Sequence, residues 1–284
     1  MCVATSLSLG WRHSCFLVLN EEGVKCWGVN GEGQLGVGDA LNRGVEAGEM
    51  GRGLFGVDFG GGLWAVSVSS GSSFTCAVLG DGSVKCWGRN EEGQLGVGSD
   101  VVGLGAKVDE VGEGLPDVDL GGEGGAVGVS AGFTHVCAVT CEHFVKCWGE
   151  NLYGQLGLGD GVQRGHESGG MGDGLPVVEL GVGVRVVSVS SGRYHSCALL
   201  EDESVKCWGY NEFGGLGVGD SEHRGDGAGE MGENLPAIDF GVGRGVRSVS
   251  AGQYHSCAVL DDMSIKCWGQ NGRGQLGVGD LLNR

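Results

Sequence analysis

The sequence predicts an all-β fold: a β-propeller of four-stranded antiparallel blades, with five repeat units present. The first observation behind this is a stretch that recurs. Residues 76–99, CAVLGDGSVKCWGRNEEGQLGVGS, return as CAVTCEHFVKCWGENLYGQLGLGD from Cys137, CALLEDESVKCWGYNEFGGLGVGD from Cys197 and CAVLDDMSIKCWGQNGRGQLGVGD from Cys257, and a copy one residue longer runs from Cys15. Trp27, Trp87, Trp148, Trp208 and Trp268 stand 60, 61, 60 and 60 residues apart. A fixed period of this size marks one supersecondary unit stacked on copies of itself. The second observation is composition: 63 glycines, only 3 prolines and 40% hydrophobic residues suit short strands joined by glycine turns better than disorder or collagen. The third is period-2 alternation with β-branched residues, as in Val66-Ser67-Val68-Ser69 and Val187-Ser188-Val189-Ser190, the pattern of a strand.

Each period divides into four pieces. The expected first strand follows a Leu-Pro step, as at Asp117–Leu120, and recurs after Leu175-Pro176 and Leu235-Pro236. The alternating run is the second strand. The third and fourth are the two cysteine-bearing arms, such as 76–79 and 83–87, joined by a tight turn. The units expected are about 1–39, 57–98, 117–159, 177–219 and 237–279, one array over 1–284. The first is expected to have three strands, because the chain opens at a second-strand position. The sequence stops at GDLLNR, matching 38–43 of the first linker, so it is expected to be a piece of a longer protein. Between units run acidic, glycine-rich linkers with Arg43, Arg164 and Arg224 at matching positions, expected to pair with nearby acids. The second linker departs from the pattern, with Ser99 in place of Asp.

Eighteen basic against 36 acidic residues leave a net charge of −18. No basic stripe is available to neutralise phosphates, which argues against a nucleic-acid partner; the acidity favours solubility or a basic partner. No apolar run is long enough to span a membrane, and the N-terminal stretch lacks the pattern of a signal peptide.

The cysteines are the strongest chemical signal. Five pairs each flank one hairpin: Cys15 with Cys26, Cys76 with Cys86, Cys137 with Cys147, Cys197 with Cys207 and Cys257 with Cys267. A three-residue loop sets the two members directly opposite, where a disulfide forms if the pair is not hydrogen-bonded. Both members recur together even in the first copy, whose hairpin is a residue longer, so Cys26 is expected to pair like the rest. The alternatives are zinc, which prefers shorter ligand spacings, and reduced buried thiols. Cys2 and Cys141 are left without partners. The third loop residue should favour positive φ, yet it is Gly82 once and His143, Glu203 and Met263 elsewhere. His13, His135, His195 and His255 precede the first cysteine by two residues. Phe74 at the same place in the second unit argues for packed histidines bonding to a loop rather than a metal ring. Two G-x-G-x-x-G matches, at 31–36 and 272–277, lack the following helix that a dinucleotide site needs and are read as turns. Arg224-Gly225-Asp226 is a chance tripeptide in a Gly/Asp-rich loop. No cofactor, metal or catalytic constellation stands out from the repeat.

The unit V-S-x-G-x-x-H-S-C-A-V-L-x-D-G-S-V-K-C-W-G-x-N-x-x-G-Q-L-G-x-G-D resembles the regulator-of-chromosome-condensation repeat over nearly the whole chain. A β-lactamase-inhibitor protein shares that superfamily architecture. The resemblance implies a β-propeller, typically of seven blades, and a founding activity of nucleotide exchange on a small GTPase. The paired cysteines depart from the nuclear prototype and favour an extracellular or secretory location over a cytoplasmic one. The function expected is a non-enzymatic scaffold that binds a protein partner through its loops. The alternatives are a guanine-nucleotide exchange factor and a secreted binder or inhibitor. Variation free of packing duty collects in the connections, including the x positions of Asn-x-x-Gly, where Tyr153 and Phe213 occupy equivalent sites in adjacent units. They are the expected partner patch, or else they pack on neighbouring linkers.

Overall fold

The computed structural model describes residues 3–19, 23–122 and 124–284, so Cys2 and the first hairpin tip lie outside the described residues. Five antiparallel sheets follow one another along the chain. They comprise β1 (Val3–Leu9), β2 (His13–Leu19) and β3 (Gly23–Gly28); then β4 (Ala65–Ser70), β5 (Phe74–Leu79), β6 (Val84–Arg89) and β7 (Gly103–Leu104). The third is β8 (Ala126–Ala131), β9 (His135–Thr140) and β10 (Val145–Gly149). The fourth is β11 (Val186–Ser191), β12 (His195–Leu200) and β13 (Val205–Gly209), and the fifth β14 (Val246–Ala251), β15 (His255–Leu260) and β16 (Ile265–Gly269). Among the described residues there is no α-helix, only short 3-10 turns in the linkers, and no helix long and apolar enough to cross a membrane. The five turns between first and second strands converge on one cavity lined by Gly10, Gly71, Gly132, Gly192 and Gly252, the arrangement of propeller blades around an axis.

The fourth strand differs from expectation. Among the described residues only the second sheet has one, the two-residue β7. The Leu-Pro segment was expected to open the following unit, but its backbone lies at the edge of the preceding one. Val118 N donates to Val84 O (2.7 Å), Val178 to Val145 (2.8 Å) and Ile238 to Val205 (2.9 Å). The other half of the same edge is filled by the start of the linker: Arg164 exchanges two backbone bonds with Gly149, and Arg224 with Gly209. The outer position is therefore occupied by two separate pieces of one linker, each too short to register as a strand. Proline, with no N–H to donate, suits such an edge. In the second linker, where the Asp–Arg pattern is missing, β7 pairs with Gly88 and Arg89 instead.

Local geometry follows residue chemistry. At the hairpin tips His143, Glu203 and Met263 adopt φ of 67°, 66° and 66°, where the second sheet has Gly82 at 87°. Each non-glycine costs on the order of 1–2 kcal/mol in this region. In the alternating runs a bulge separates the two valines: Val66 is 49% exposed while Val68 is buried, because the register slips between Ala65 and Ser67. Simple alternation would have put both on one face; the extra residue instead adds bend and twist at the inner strand.

The joints between sheets repeat the same bonds. Ser8, Ser69, Ser130 and Ser190 each accept, at 2.8–2.9 Å, a backbone N–H from the next inner strand. The histidines bond across the joint rather than to a loop. His13 Nε2 meets Thr75 Oγ1, His135 meets Ser196 Oγ and His195 meets Ser256 Oγ, all at 2.9 Å. At the remaining joint both members are apolar, Phe74 and Val136, each fully buried in one cluster with Trp148 and Leu95. The chain exchanges the polar pair for an apolar one as a unit, since either half alone would leave a buried polar group unsatisfied.

Ser196→Val should cost about 1–3 kcal/mol, because it strands His135 Nε2. Adding His135→Phe should recover a substantial part, read as favourable coupling in a double-mutant cycle by urea denaturation. Burial also lowers the pKa of His135 to about 3 and of His195 and His13 to about 4. The unfolded chain protonates these groups near the ordinary 6.5 while the folded chain does not, so stability is full above about pH 6.5 and falls as pH drops toward 4. Denaturation midpoints between pH 7.5 and 4.5 check this. An equal pH slope in the His135→Phe/Ser196→Val variant would count against the histidines as its source.

Candidate functional site

The ten hairpin cysteines lie in direct register: Cys15 opposite Cys26, Cys76 opposite Cys86, Cys137 opposite Cys147, Cys197 opposite Cys207 and Cys257 opposite Cys267. Their Cα atoms are 4.0–4.1 Å apart, the close approach of a non-hydrogen-bonded pair, and the sulfurs 2.06–2.10 Å apart. Cys26 differs from the other second cysteines in how it reaches this position. Its separation from Cys15 is 11 residues, where the other four pairs have 10. The three-residue loop that aligns those four therefore does not account for Cys26. What aligns it is the ladder itself, unbroken from His13 opposite Gly28 through Cys15 opposite Cys26 to Val18 opposite Gly23. All but the cysteines of the fifth hairpin are fully buried in the inter-sheet core, Cys26 among them. Cys141 is free and exposed at a hairpin tip.

The turn after each tryptophan is built by one side chain. Asn151 Oδ1 accepts from Leu156 N (2.9 Å), and its Nδ2 donates to Asp160 O (2.7 Å). Asn30, Asn90, Asn211 and Asn271 make the same bond to the leucine five residues on. Asp39, Asp160 and Asp220 in turn hold Arg43, Arg164 and Arg224, the pairing expected from the linkers. Arg224 of the Arg-Gly-Asp tripeptide is thus engaged within its own loop. Residues 31–36 and 272–277 are turns with no helix following.

These turns place Tyr153 and Phe213 on one face, next to the first-to-second-strand turns that end at each histidine. Tyr153 and Phe213 do not form a ring pair with each other; Tyr210 links them, at 5.0 Å from Tyr153 and 6.0 Å from Phe213. Tyr254 lies 5.6 Å from Phe213 and 5.5 Å from Tyr210, and Tyr194 lies 5.1 Å from Tyr153. All five rings are half-buried, and they pack chiefly on one another, with His223 the linker residue among them. Burial first, and Glu212 accepting from the Tyr210 hydroxyl second, raise the Tyr210 pKa, so it stays a neutral donor. Burial likewise raises Tyr254.

The band continues to the axial cavity. Arg193 stacks over Phe133 (4.5 Å), Tyr194 (5.0 Å) and Tyr254 (5.6 Å), and Arg12 over Trp11 (4.5 Å), whose ring meets Phe133 at 5.9 Å. Sequence reasoning found two members and missed Tyr194, Tyr210, Tyr254 and Arg193. The available signal was the pair of variable positions in G-x-x-H, where Arg193-Tyr194 and Gln253-Tyr254 stand beside Trp11-Arg12.

Joints built from copied residues, with the uncopied aromatics gathered on one face, define a repeat β-propeller. The chain belongs to the regulator of chromosome condensation (RCC1) repeat family, matched at residues 4–34, 65–94, 126–155, 186–214 and 246–275, with a second RCC1 repeat model over 145–199 and 202–259. It is 28% identical to the ultraviolet-B receptor UVR8 of Arabidopsis thaliana over 287 residues, covering 98% of this chain and 56% of the relative. The chain therefore spans little more than half that relative's length. The structure is similar to human WBSCR16 with a TM-score of 0.75 at 21% identity, covering 100% of this chain and 66% of the other. Yeast RCC1 (Prp20), solved bound to Kap60, matches with a TM-score of 0.64 at 22% identity, covering 94% of this chain and 56% of the other.

Replacing Cys137 and Cys147 together by Ala should destabilise by about 3 kcal/mol in the chain-entropy view of a closure of roughly 11 residues. Trp148→Ala, which empties a fully buried site between two sheets, should cost more, about 3–5 kcal/mol plus the orphaned carbonyl of Gln94. Urea midpoints of the two variants rank them.

Proposed function

We propose that this chain is a non-enzymatic propeller scaffold that binds a protein partner through the loops of the aromatic face, with Tyr153 and Phe213 inside the contact. The carrying observation is the half-buried cluster of Tyr153, Tyr194, Tyr210, Phe213 and Tyr254, drawn from three consecutive units and continuous with Arg193. Tyrosine and arginine supply large contact areas with polar edges and dominate binding hot spots. Packing between sheets accounts for the copied residues of the unit and leaves these rings without a structural duty of the same kind. The relative Prp20 is known bound to Kap60, which supports protein binding as the use of such a propeller.

The five cysteine pairs, from Cys15 and Cys26 to Cys257 and Cys267, act in this reading as cross-strand disulfides that hold each hairpin, which favours an oxidising compartment. Thiol titration under denaturing conditions, with and without reductant, counts them.

Tyr153→Ala with Phe213→Ala should weaken binding of a purified partner roughly tenfold or more, with urea stability close to that of the parent. Unchanged affinity in a folded variant would refute the placement. Accelerated release of GDP from a small GTPase by the chain would replace the scaffold reading with nucleotide exchange.

A further inference from the structure

Arginine in this acidic chain is usually neutralised at home. Seven guanidinium groups, Arg164 and Arg224 among them, ion-pair with carboxylates. Of the others, Arg52 lies in a linker, Arg247 donates to the Asp261 carbonyl and Arg273 occupies the outermost Asn-x-x-Gly turn. Arg12 and Arg193 remain. Both sit in the turns around the axial cavity, and among the described residues neither forms an ion pair with a carboxylate.

Arg193 is the more informative. Its flat face is taken up by Phe133, Tyr194 and Tyr254, and its Nε is buried without a hydrogen-bond partner. Glu150 feels its field but bonds the Thr134 hydroxyl instead. Stacking fixes a guanidinium in place and uses its π face, while carboxylates are recognised along the N–H edge. A pre-oriented guanidinium that makes no ion pair, beside an apolar ring system, is a binding feature that a carboxylate at its terminal nitrogens would complete. The cavity it borders has a volume of about 420 Å³ and carries Trp11, Leu9, Phe133 and Gln253 on its walls. Trp11 is 63% and Leu9 69% exposed, so the walls offer apolar surface as well. The Asn-x-x-Gly turns of the same face add an acidic rim of Glu32, Glu92 and Glu212, with Glu91 already paired to Arg89. A polyphosphate strand would have to cross that rim, and the chain's charge of −18 opposes it throughout.

We infer that the axial mouth, at Arg193 and Arg12 between Trp11 and Tyr254, receives a segment of a partner protein that presents an Asp or Glu carboxylate beside an apolar side chain. The inference rests on the proposed use of the aromatic face for protein binding and adds the partner's chemistry to it. The carboxylate meets the terminal nitrogens of the stacked Arg193, Arg12 supplies a second cation, and the apolar neighbour lies against Trp11 and Phe133. Basic residues flanking the carboxylate would suit the outer glutamates.

The probe is a phage-displayed library of short random peptides selected against the whole chain, with the enriched sequences then made as free peptides. The expected result is a shared Asp or Glu next to an apolar residue. Their affinity should fall about tenfold or more in Arg193→Gln, partly in Arg193→Lys, and not in Arg247→Gln. Tryptophan fluorescence and the urea midpoint establish that each variant is folded. Peptides that lose affinity in Tyr153→Ala/Phe213→Ala but ignore Arg193→Gln, or that are rich in Lys and Arg without an acid, overturn the carboxylate inference and leave the face as the binding site. Peptides indifferent to both substitutions, or a selection that enriches nothing, sink both. Binding of oligothymidylate that depends on Arg193 and displaces the peptides would assign the mouth to nucleic acid and overturn the inference equally.

Discussion

Everything in this array hangs on one hydrogen bond made four times: the indole N–H of a sheet donates to a backbone carbonyl in the turn of the sheet before it. Trp87 donates to Gln34 O, Trp148 to Gln94 O and Trp208 to Gln155 O at 3.0 Å, and Trp268 to Gly215 O at 2.9 Å. An indole brings a large apolar area to the core, but it can be fully buried only where its N–H finds an acceptor. That acceptor must project from a rigid turn. The preceding Asn supplies the rigidity by bonding both the leucine N–H and the linker, and the glycine two residues past the acceptor supplies the room. At Gly157, with φ of +69°, an added Cβ would lie 2.8 Å from Trp208 Nε1. The string W-G-x-N-x-x-G-Q-L-G is therefore one device split across two sheets, which is why it is copied whole.

The same carbonyl explains the residue before each hairpin cysteine. Thr75, Ser196 and Ser256 donate to Gln34 O, Gln155 O and Gly215 O while receiving or meeting the histidine of the previous sheet. Histidine, hydroxyl, carbonyl and indole thus form one closed set in which every one of these bonds is made. It runs in a single direction along the chain. Where the second sheet has Phe74, the third has Val136, and Gln94 O keeps the indole alone. Within the joint each histidine Nε2 has its hydroxyl, although Nδ1 of His13 and of His135 is buried without a partner; where one half of the pair is lost, the chain removes both side chains.

Much of this was legible beforehand, because period, hairpin and cysteine register are consequences of short-range spacing. The strand-forming runs and tight turns lie within a few residues of one another, so local chemistry decides them. Cys26 marks the edge of that reasoning: its longer hairpin breaks the spacing rule, and only the recurrence of both cysteines in every copy pointed to its place opposite Cys15. The outer strand was not legible in the same way. Asp117–Leu120 reads as a strand by composition, yet nothing local says which sheet's edge it joins; Val118 pairs with Val84 because the linker has already returned to that edge at its start. Nor was the role of the serines. Val66-Ser67-Val68-Ser69 shows a strand, while the bond from Ala131 N to Ser69 Oγ belongs to a neighbour 62 residues away. The histidines were correctly read as packed, but their partners lie one unit ahead and could be seen only by comparing adjacent copies offset by one unit.

The aromatic face carries the same lesson further. The joint claims the histidine, the hydroxyl position, the tryptophan, the asparagine and the glycines of each unit, so few positions near the axis remain free to vary without loosening the stack. They are the two residues after the glycine in G-x-x-H, the one after W-G, and the pair in N-x-x-G. Backbone bonds tie these turns together: Tyr210 N donates to Tyr194 O and Gln270 N to Tyr254 O, each within one sheet. Substitutions far apart in sequence therefore land side by side. Tyr194 and Tyr210 come from one unit, Tyr153 from the unit before and Tyr254 from the unit after, yet their centroids fall within 5.0–6.3 Å of one another wherever they pair. The second unit has Ser72-Ser73 and Glu91-Glu92 at the corresponding places and contributes no ring. The aromatic surface is consequently one-sided, spread over the last three units and reaching the first through Phe133 and Trp11. The rigidity of the joints thereby turns a few unconstrained positions into a continuous surface.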